Sequence, residues 1–411
     1  MTGWDPELAE LRRIHAGSRD VVKETPVFSF GALSRRCGGQ VVLKAENLQR
    51  TGSFKLRGTS AKLRTDAAGA ARGVVTGSAG NHGQALAYAA RARDLPCTIF
   101  MPTEAPVSKI EAVAAFGAEV RAEGGSVDDC VVAARELAAE KDLLFVHPFD
   151  DLDIVKGQAG VGLEIAAQVP DVARVIVPVG GGGLISGIAA AIKSERPEVE
   201  IVGVQASGCA SLRASLAEGH PETVGAPSTI ADGIAVKRPG DLTFALMERW
   251  LDDLAEVDDD AIAAAMVFLI ERAKLATEGA GAVAVAALAT GAVAPARTGT
   301  TVVVLSGGNV DANVLAAVIN RAQTGAGRRV RFFTRISDRP GGLAGLLGQV
   351  AAAGGNLLDV THVRDGVSLH VQETGVELLV ECRSIEARRR LLGEMRAAGY
   401  DVEELNREET Q

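Results

Sequence analysis

Aromatic side chains are scarce: Phe, Trp and Tyr make up 4% of the 411 residues, although 47% are hydrophobic. The interior must then be built largely from Ala and Val, which suits small-residue helices packed on buried parallel strands. Cysteine is thin as well. Cys37, Cys97, Cys130, Cys209 and Cys382 are scattered, without a Cys-x-x-Cys or paired spacing. They read as buried small residues of a reducing compartment and not as a disulfide framework. A basic excess is missing too. The net charge of −9 leaves no electropositive footprint, which argues against nucleic acid or an anionic membrane as partner. A phosphate ligand is not excluded, because backbone groups can bind one. The first residues are acidic and lead into an amphipathic helix with Arg12 and Arg13, unlike a secretory or organellar signal. The charge-free stretches 175–192 and 279–296 are both broken by glycines, so neither reads as a membrane span. A soluble, cytoplasmic protein is expected.

What is present is an alternation. Short apolar runs at 41–44, 74–76, 98–101, 118–120, 175–179, 200–205 and 301–305 read as strands. Helical periodicity fills 55–65, 84–92, 107–115, 127–141, 157–168, 184–193 and 259–274. Strand–helix alternation predicts an α/β protein with parallel sheets and right-handed crossovers. A basic, glycine-containing linker at 323–329 ends that pattern. Beyond it strands at 330–337, 356–363, 375–382 and 401–405 and helices at 341–353 and 385–398 give a βαββαβ order, the ferredoxin-like arrangement.

Three loops carry the chemistry. Lys55 sits in the Gly/Ser/Thr-rich turn of Thr51-Gly52-Ser53-Phe54-Lys55-Leu56-Arg57-Gly58, between a strand and a helix. A lysine that attacks a carbonyl must be held in place and kept partly unprotonated, and such a turn can do both. Gly77-Ser78-Ala79-Gly80-Asn81-His82-Gly83 also joins a strand to a helix, so its N–H groups converge where negative charge is favoured. Gly180-Gly181-Gly182-Gly183-Leu184 follows a third strand. Four successive glycines are entropically wasteful unless backbone must approach a ligand closely, and phosphate is the default guest. A dinucleotide fold fits poorly, because Glu195, Glu198 and Glu200 lie around a proline where a ribose-binding acid is expected. His82 and His147 have bland readings, a packed helix-start histidine and a turn before Pro148.

These loops, with Thr277-Glu278-Gly279-Ala280-Gly281-Ala282 and Leu305-Ser306-Gly307-Gly308-Asn309, resemble the fold-type-II pyridoxal-phosphate enzymes, and within them the threonine/serine dehydratases. The resemblance spans most of residues 20–325. It implies a large catalytic domain of 1–46 and 151–322, with a small one of 47–150 inserted and the cofactor in the cleft. It implies Lys55 as the Schiff-base lysine, Asn81 as partner of the cofactor's 3′-oxygen, and Gly180, Gly181, Gly182, Gly183 and Leu184 as phosphate cradle. Ser306 would face the pyridine nitrogen, where a neutral hydroxyl makes the ring a milder electron sink and favours β-elimination over transamination. Ser78, Ala79, Gly80, Asn81 and His82 would clamp the substrate carboxylate. The segment 145–151 resembles a family hinge, and 230–234, with Asp232-Gly233, a family loop near the cofactor.

The C-terminal segment 330–405, with Asp338, Gly341, Gly342, Leu343 and Asn356, resembles the ACT regulatory domain, which commonly binds an amino acid at a dimer interface. Isoleucine or valine is the expected effector, and a homo-oligomer, dimer or tetramer, the expected assembly. Two departures sharpen the reading. Racemases of the group usually carry a second serine where this chain has Ala79, which has no proton to exchange. Relatives often hold a divalent ion after the strand near Val204, but 204–211 has no Asp or Glu, so no metal is expected; carbonyls there could hold a monovalent cation. The expectation is pyridoxal-phosphate-dependent elimination of L-threonine to 2-oxobutanoate and ammonia, with L-serine as second substrate. The alternatives are a serine racemase/dehydratase, a hydroxyaspartate dehydratase, a β-replacing synthase, or an inactive amino-acid sensor.

Overall fold

The computed structural model describes residues 4–364, 369–370 and 372–405. It divides into two compact units, Met1–Ala312 and Asn313–Gln411. Strands of the first unit are β1 (Val27–Ser29), β2 (Val41–Ala45), β3 (Val74–Gly77), β4 (Cys97–Met101), β5 (Glu119–Ala122), β6 (Leu144–Phe145), β7 (Val172–Pro178), β8 (Glu200–Ala206), β9 (Asp253–Val257) and β10 (Thr300–Leu305). They form two sheets, ordered β1-β2-β10-β7-β8-β9 and β5-β4-β3-β6. All neighbouring pairs are parallel except β1 with β2. Strands β3, β4 and β10 are buried along their whole length, as parallel strands covered on both faces must be.

The larger sheet packs on a core of Val175, Val177, Ile185, Ile188, Val302 and Val304, and the smaller on one of Leu56, Val74, Leu86, Ile99 and Met101. The carboxyl ends of β3, β7 and β10 deliver the Ser78, Gly180 and Ser306 loops. Ligands in open α/β sheets bind at such strand ends.

Several elements differ from the expectation, each for a physical reason. The helix Leu152–Gln168 begins ahead of residue 157, because Asp151 caps it by accepting from the N–H groups of Asp153 and Ile154. The expected helix 259–274 is α-helical only over Asp259–Phe268. It widens to a π-turn over Leu269–Ala273 and stops at Lys274, whose φ is +60°. Helix Gly279–Thr290 shows no polar face in the sequence, since residues 279–288 are buried on every side. Strand β9 was hidden by its acidic positions, Asp253 and Glu256.

The second unit holds β11 (Arg329–Ser337), β12 (Asn356–Val363), β13 (Glu373–Glu381) and β14 (Glu403–Glu404), ordered β12-β13-β11-β14 and antiparallel at each pairing. Helices Gly342–Ala352 and Ile385–Ala397 complete the βαββαβ order. Phe332, Leu346, Val376, Leu378 and Met395 form its separate core.

Candidate active site

A cavity of about 750 Å³ in the first unit is lined by Lys55, Ser78, Ala79, Gly80, Asn81, His82, Gly180, Gly181, Gly182, Gly183, Leu184 and Ser306. Residues named from four distant sequence loops thus converge on one space. Lys55 opens the helix Lys55–Thr65, and its Nζ donates to the Pro148 carbonyl at 2.8 Å. Burial lowers its ammonium pKa to about 8, and the nearby Glu278 carboxylate only partly opposes the shift. The lysine turn is stitched to the Ser306 loop. Phe54 N–H donates to the Ser306 carbonyl at 3.1 Å, and Ser53 bridges Gly307.

The glycine turn after β7 tolerates no side chain. A Cβ on Gly181 would lie 2.3 Å from the Phe149 ring, and one on Gly180 would lie 2.9 Å from the Ile234 Cα. Gly182 has φ +93°, a left-handed conformation that L side chains rarely adopt. Thr243 ties the turn down by donating to the Gly181 carbonyl at 2.6 Å, while Asp150 accepts from the Thr243 N–H. The helix Gly183–Glu195 that follows has no side-chain cap. Its first N–H groups lack intrahelical partners and open on the cavity, a donor set suited to an anionic oxygen group.

In the Ser78 loop, the Ser78 Oγ accepts from the N–H groups of Gly80 and Gly83. Asn81 is clamped at both ends of its amide. Its Nδ2 donates to Glu278 Oε1 at 2.7 Å, and its Oδ1 accepts from Asn309 Nδ2 at 2.7 Å. Glu278 itself is buried, with its pKa pushed up to about 7 by burial and by the Asp232 charge. His82 donates its Nε2–H to the Val146 carbonyl at 3.0 Å; burial and the Lys55 charge push its pKa down to about 3, so the ring is neutral. His147 accepts at Nδ1 from the N–H groups of Phe149 and Asp150, and burial first of all lowers it to about 4. It shapes the turn before Asp150, as the bland reading of that residue anticipates.

Sequence reasoning missed Glu278 as a cavity residue, although its motif was noted, and it missed Gln158, Lys109 and Asp128. Lys109 pairs with Asp232 at 2.8 Å and Asp128 with Lys237 at 2.7 Å, both beside the cavity. Partners more than a hundred residues apart leave no local sequence signal. Among the described residues no cluster of three or more His, Cys, Asp or Glu could hold a metal ion, and no helix is long and apolar enough to cross a membrane.

In the second unit, the named effector residues do not lie together. Asp338 accepts two hydrogen bonds from Arg364, and Gly341, at φ +95°, precedes the helix that starts with Gly342 and Leu343. Asn356 donates to Glu381 at 2.9 Å; the strand register sets it at the Arg329 end of the sheet, whereas Asp338 follows the Ser337 end.

A family model described as pyridoxal-phosphate dependent enzyme matches residues 19–307. The chain is 43% identical over 399 residues to an L-threonine ammonia-lyase of Thermotoga maritima, covering 96% of this chain and 98% of that one. Among solved structures it is similar to the processed form of threonine deaminase isoform 2 from Solanum lycopersicum, with a TM-score of 0.74 and 36% identity over 79% of this chain and 90% of that one. It is also similar to maize serine racemase, with a TM-score of 0.73 and 33% identity over 78% of this chain and 99% of that one.

Proposed function

Because the chain belongs to the pyridoxal-phosphate dependent enzymes, we propose that it is a lyase that converts L-threonine to 2-oxobutanoate and ammonia, and L-serine to pyruvate. One observation carries the reading. A lysine with its pKa brought down to about 8, a glycine turn that admits no Cβ and the Ser306 hydroxyl all face one cavity.

These residues fit the cofactor. The uncapped helix start at Gly183 and the bare glycine backbone suit its phosphate, Lys55 its carbonyl carbon, Asn81 its ring oxygen and Ser306 its ring nitrogen. When bound, pyridoxal phosphate supplies a carbonyl for amines and a sink for electrons released at Cα. The chain does the rest. At neutral pH about a tenth of a lysine with such a pKa is unprotonated, enough for the Lys55 Nζ to take the Cα proton; the β-hydroxyl then takes up a proton and leaves as water, and the enamine so formed is hydrolysed to the 2-oxo acid and ammonia. The Ser78–His82 loop directs backbone N–H groups and the Ser78 hydroxyl at the substrate carboxylate, holding the Cα–H bond toward Lys55. Neutral His82 and His147 contribute no competing positive charge beside that amine. Asn309 and Glu278 fix the Asn81 amide from both ends, so it meets its ligand pre-oriented. The decisive assay is 2-oxo-acid production from a panel of β-hydroxy amino acids, with and without isoleucine and valine. No product from threonine or serine would sink the reading.

The racemase alternative turns on Ala79, which offers no proton on the face opposite Lys55. The native enzyme is expected to make pyruvate from L-serine with little D-serine, and Ala79→Ser to raise the D-serine share several-fold. Chiral chromatography of the products checks this. Native racemisation as fast as elimination would remove Ala79 from the argument.

The second unit is read as an ACT-like regulator taking isoleucine or valine, and the protein as a cytoplasmic homo-oligomer. Support comes from the βαββαβ topology and the glycine turn at Gly341. Asn356 lies far from that turn within one chain, so the two would meet only across subunits, which fits an effector site at a dimer interface. We infer a catalytic division of 1–46 with 151–322 around 47–150, then the 323–329 linker and 330–405, whereas the first compact unit ends at Ala312. Deleting the chain after Arg328 should leave a cofactor-loaded enzyme with turnover at saturating threonine and no response to branched-chain amino acids. A full-length enzyme that neither binds isoleucine or valine in calorimetry nor changes rate with them would refute that assignment.

A further inference from the structure

Thr243 stands behind the glycine turn. It lies in the first turn of helix Asp241–Trp250, is fully buried and does not line the cavity. A Cβ on Gly182 would sit 2.9 Å from Thr243 Cβ and 2.6 Å from Met247 Cε, so this helix is the wall at the back of the turn. The Thr243 hydroxyl has one proton and two carbonyls in reach, Gly181 at 2.6 Å and Gly240 at 3.4 Å, and the nearer one takes it. In a planar trans peptide the C=O of one residue and the N–H of the next point in opposite directions. With the Gly181 oxygen turned back to Thr243, the Gly182 N–H is turned the other way, toward the cavity that Gly181, Gly182 and Gly183 line. Gly182 is buried, and among the described residues no carbonyl or side chain accepts from that N–H. A buried donor without a partner is costly, and an anionic oxygen supplies the acceptor it lacks.

We propose that Thr243 is a positioning residue for the cofactor phosphate, its hydroxyl fixing the Gly181–Gly182 peptide with the N–H toward the anion. This rests on the cofactor reading above. The need for such a group follows from the glycines themselves. A peptide between two glycines can turn over with no Cβ to resist it, and the turned peptide would aim a carbonyl oxygen at the phosphate. The hydrogen bond from Thr243 opposes that turn. Asp150 in its own right holds Thr243 in place, accepting from the Thr243 N–H with Oδ1 and from the Asp241 N–H with Oδ2, each at 3.1 Å. Asp150 follows Pro148, whose carbonyl accepts from Lys55, and Phe149, whose ring lies against Gly181. One short segment therefore refers the cradle and the lysine to each other.

The test separates the phosphate from the rest of the cofactor. Apoenzyme is titrated in a calorimeter with pyridoxal phosphate and, separately, with pyridoxal, which lacks the phosphate. Thr243→Val keeps the shape and removes the hydroxyl; it should weaken pyridoxal phosphate about tenfold or more and leave pyridoxal unchanged. Thr243→Ser restores the donor and should bind both ligands as the native protein does. If Thr243→Val does not fold, Thr243→Cys carries the same expectation with a smaller loss, since a thiol is a weaker donor. Equal losses for the two ligands would mean that Thr243 only packs, and would overturn the proposal. A serine variant as weak as the valine variant would overturn it too, because the methyl group and not the hydroxyl would then matter. Native affinity for pyridoxal phosphate in the valine or cysteine variant would do the same. Failure of the native apoenzyme to bind either ligand would instead strike the cofactor reading, and this proposal with it.

Discussion

Lys55→Ala is expected to lower threonine turnover by at least about a thousandfold and to erase the visible absorbance band of the cofactor-loaded enzyme. The reasoning is local. Three lysines line the cavity: Lys109 is paired with Asp232 and Lys237 with Asp128, while the Lys55 Nζ is hydrogen-bonded to a carbonyl oxygen. Lys55 also has the depressed pKa, about 8, which burial imposes and Glu278 does not fully reverse. The two neighbouring histidines cannot substitute. His82 and His147 are held at pKa values of about 3 and about 4, and each has one imidazole nitrogen engaged by backbone groups. An added small amine should restore part of the rate if the cavity survives the truncation. The measurement is steady-state 2-oxo-acid formation together with an absorbance spectrum of the purified variant. Substantial activity in the variant without added amine would end the mechanism proposed for Lys55.

Much of this was legible in the chain because it is encoded locally. A strand that runs into glycines and then into a helix announces a ligand-facing backbone turn, and the Ser78 and Gly180 loops both follow that rule. The C-terminal βαββαβ order was readable for a similar reason, since alternating strands and amphipathic helices are bounded by Gly354, Gly355 and Gly399. What stayed hidden depends on three-dimensional neighbours. Helix Gly279–Thr290 is buried all round, so it carries no periodicity to read. Glu278 looks like any acidic residue until Asn81, from almost two hundred positions away, is seen against it. Gln158, buried against Gly58 and Gly187 with its Oε1 unpartnered, is likewise visible only in three dimensions. The residues expected to hold an effector do not form one place within the chain, since strand register puts Asn356 and Asp338 at opposite ends of one sheet.

Arg57 illustrates the same limit and carries the largest expected effect on stability. It follows the reactive lysine by two positions, and its guanidinium is buried between two carboxylates from different elements. Nε and Nη2 donate to Glu46, at 2.7 and 2.8 Å, while Nη1 and Nη2 donate to Glu164, at 2.6 and 2.8 Å. Glu164 also takes Lys44 Nζ at 2.5 Å, so two cations and two carboxylates balance in a space where all four side chains are at most 3% exposed. Burial alone would make each charge harder to hold. Despite it, the two carboxylates raise the Arg57 pKa, and Arg57 with Lys44 keeps Glu164 below the usual carboxylate range. The cluster joins the β2 exit, the lysine helix and helix Leu152–Gln168, the three elements that fix where Lys55 begins. Arg57→Leu leaves two buried carboxylates with one lysine between them, and removal of one partner from such a network costs about 3–5 kcal/mol. Urea unfolding of the apoenzyme should show a loss of that order, with weaker cofactor binding because the start of the lysine helix loosens. Replacing the exposed Arg12, which pairs with Glu195 at the surface, should cost less than about 1 kcal/mol in the same experiment. If the two variants unfolded at the same urea concentration, the buried cluster would not be what holds the lysine helix in place.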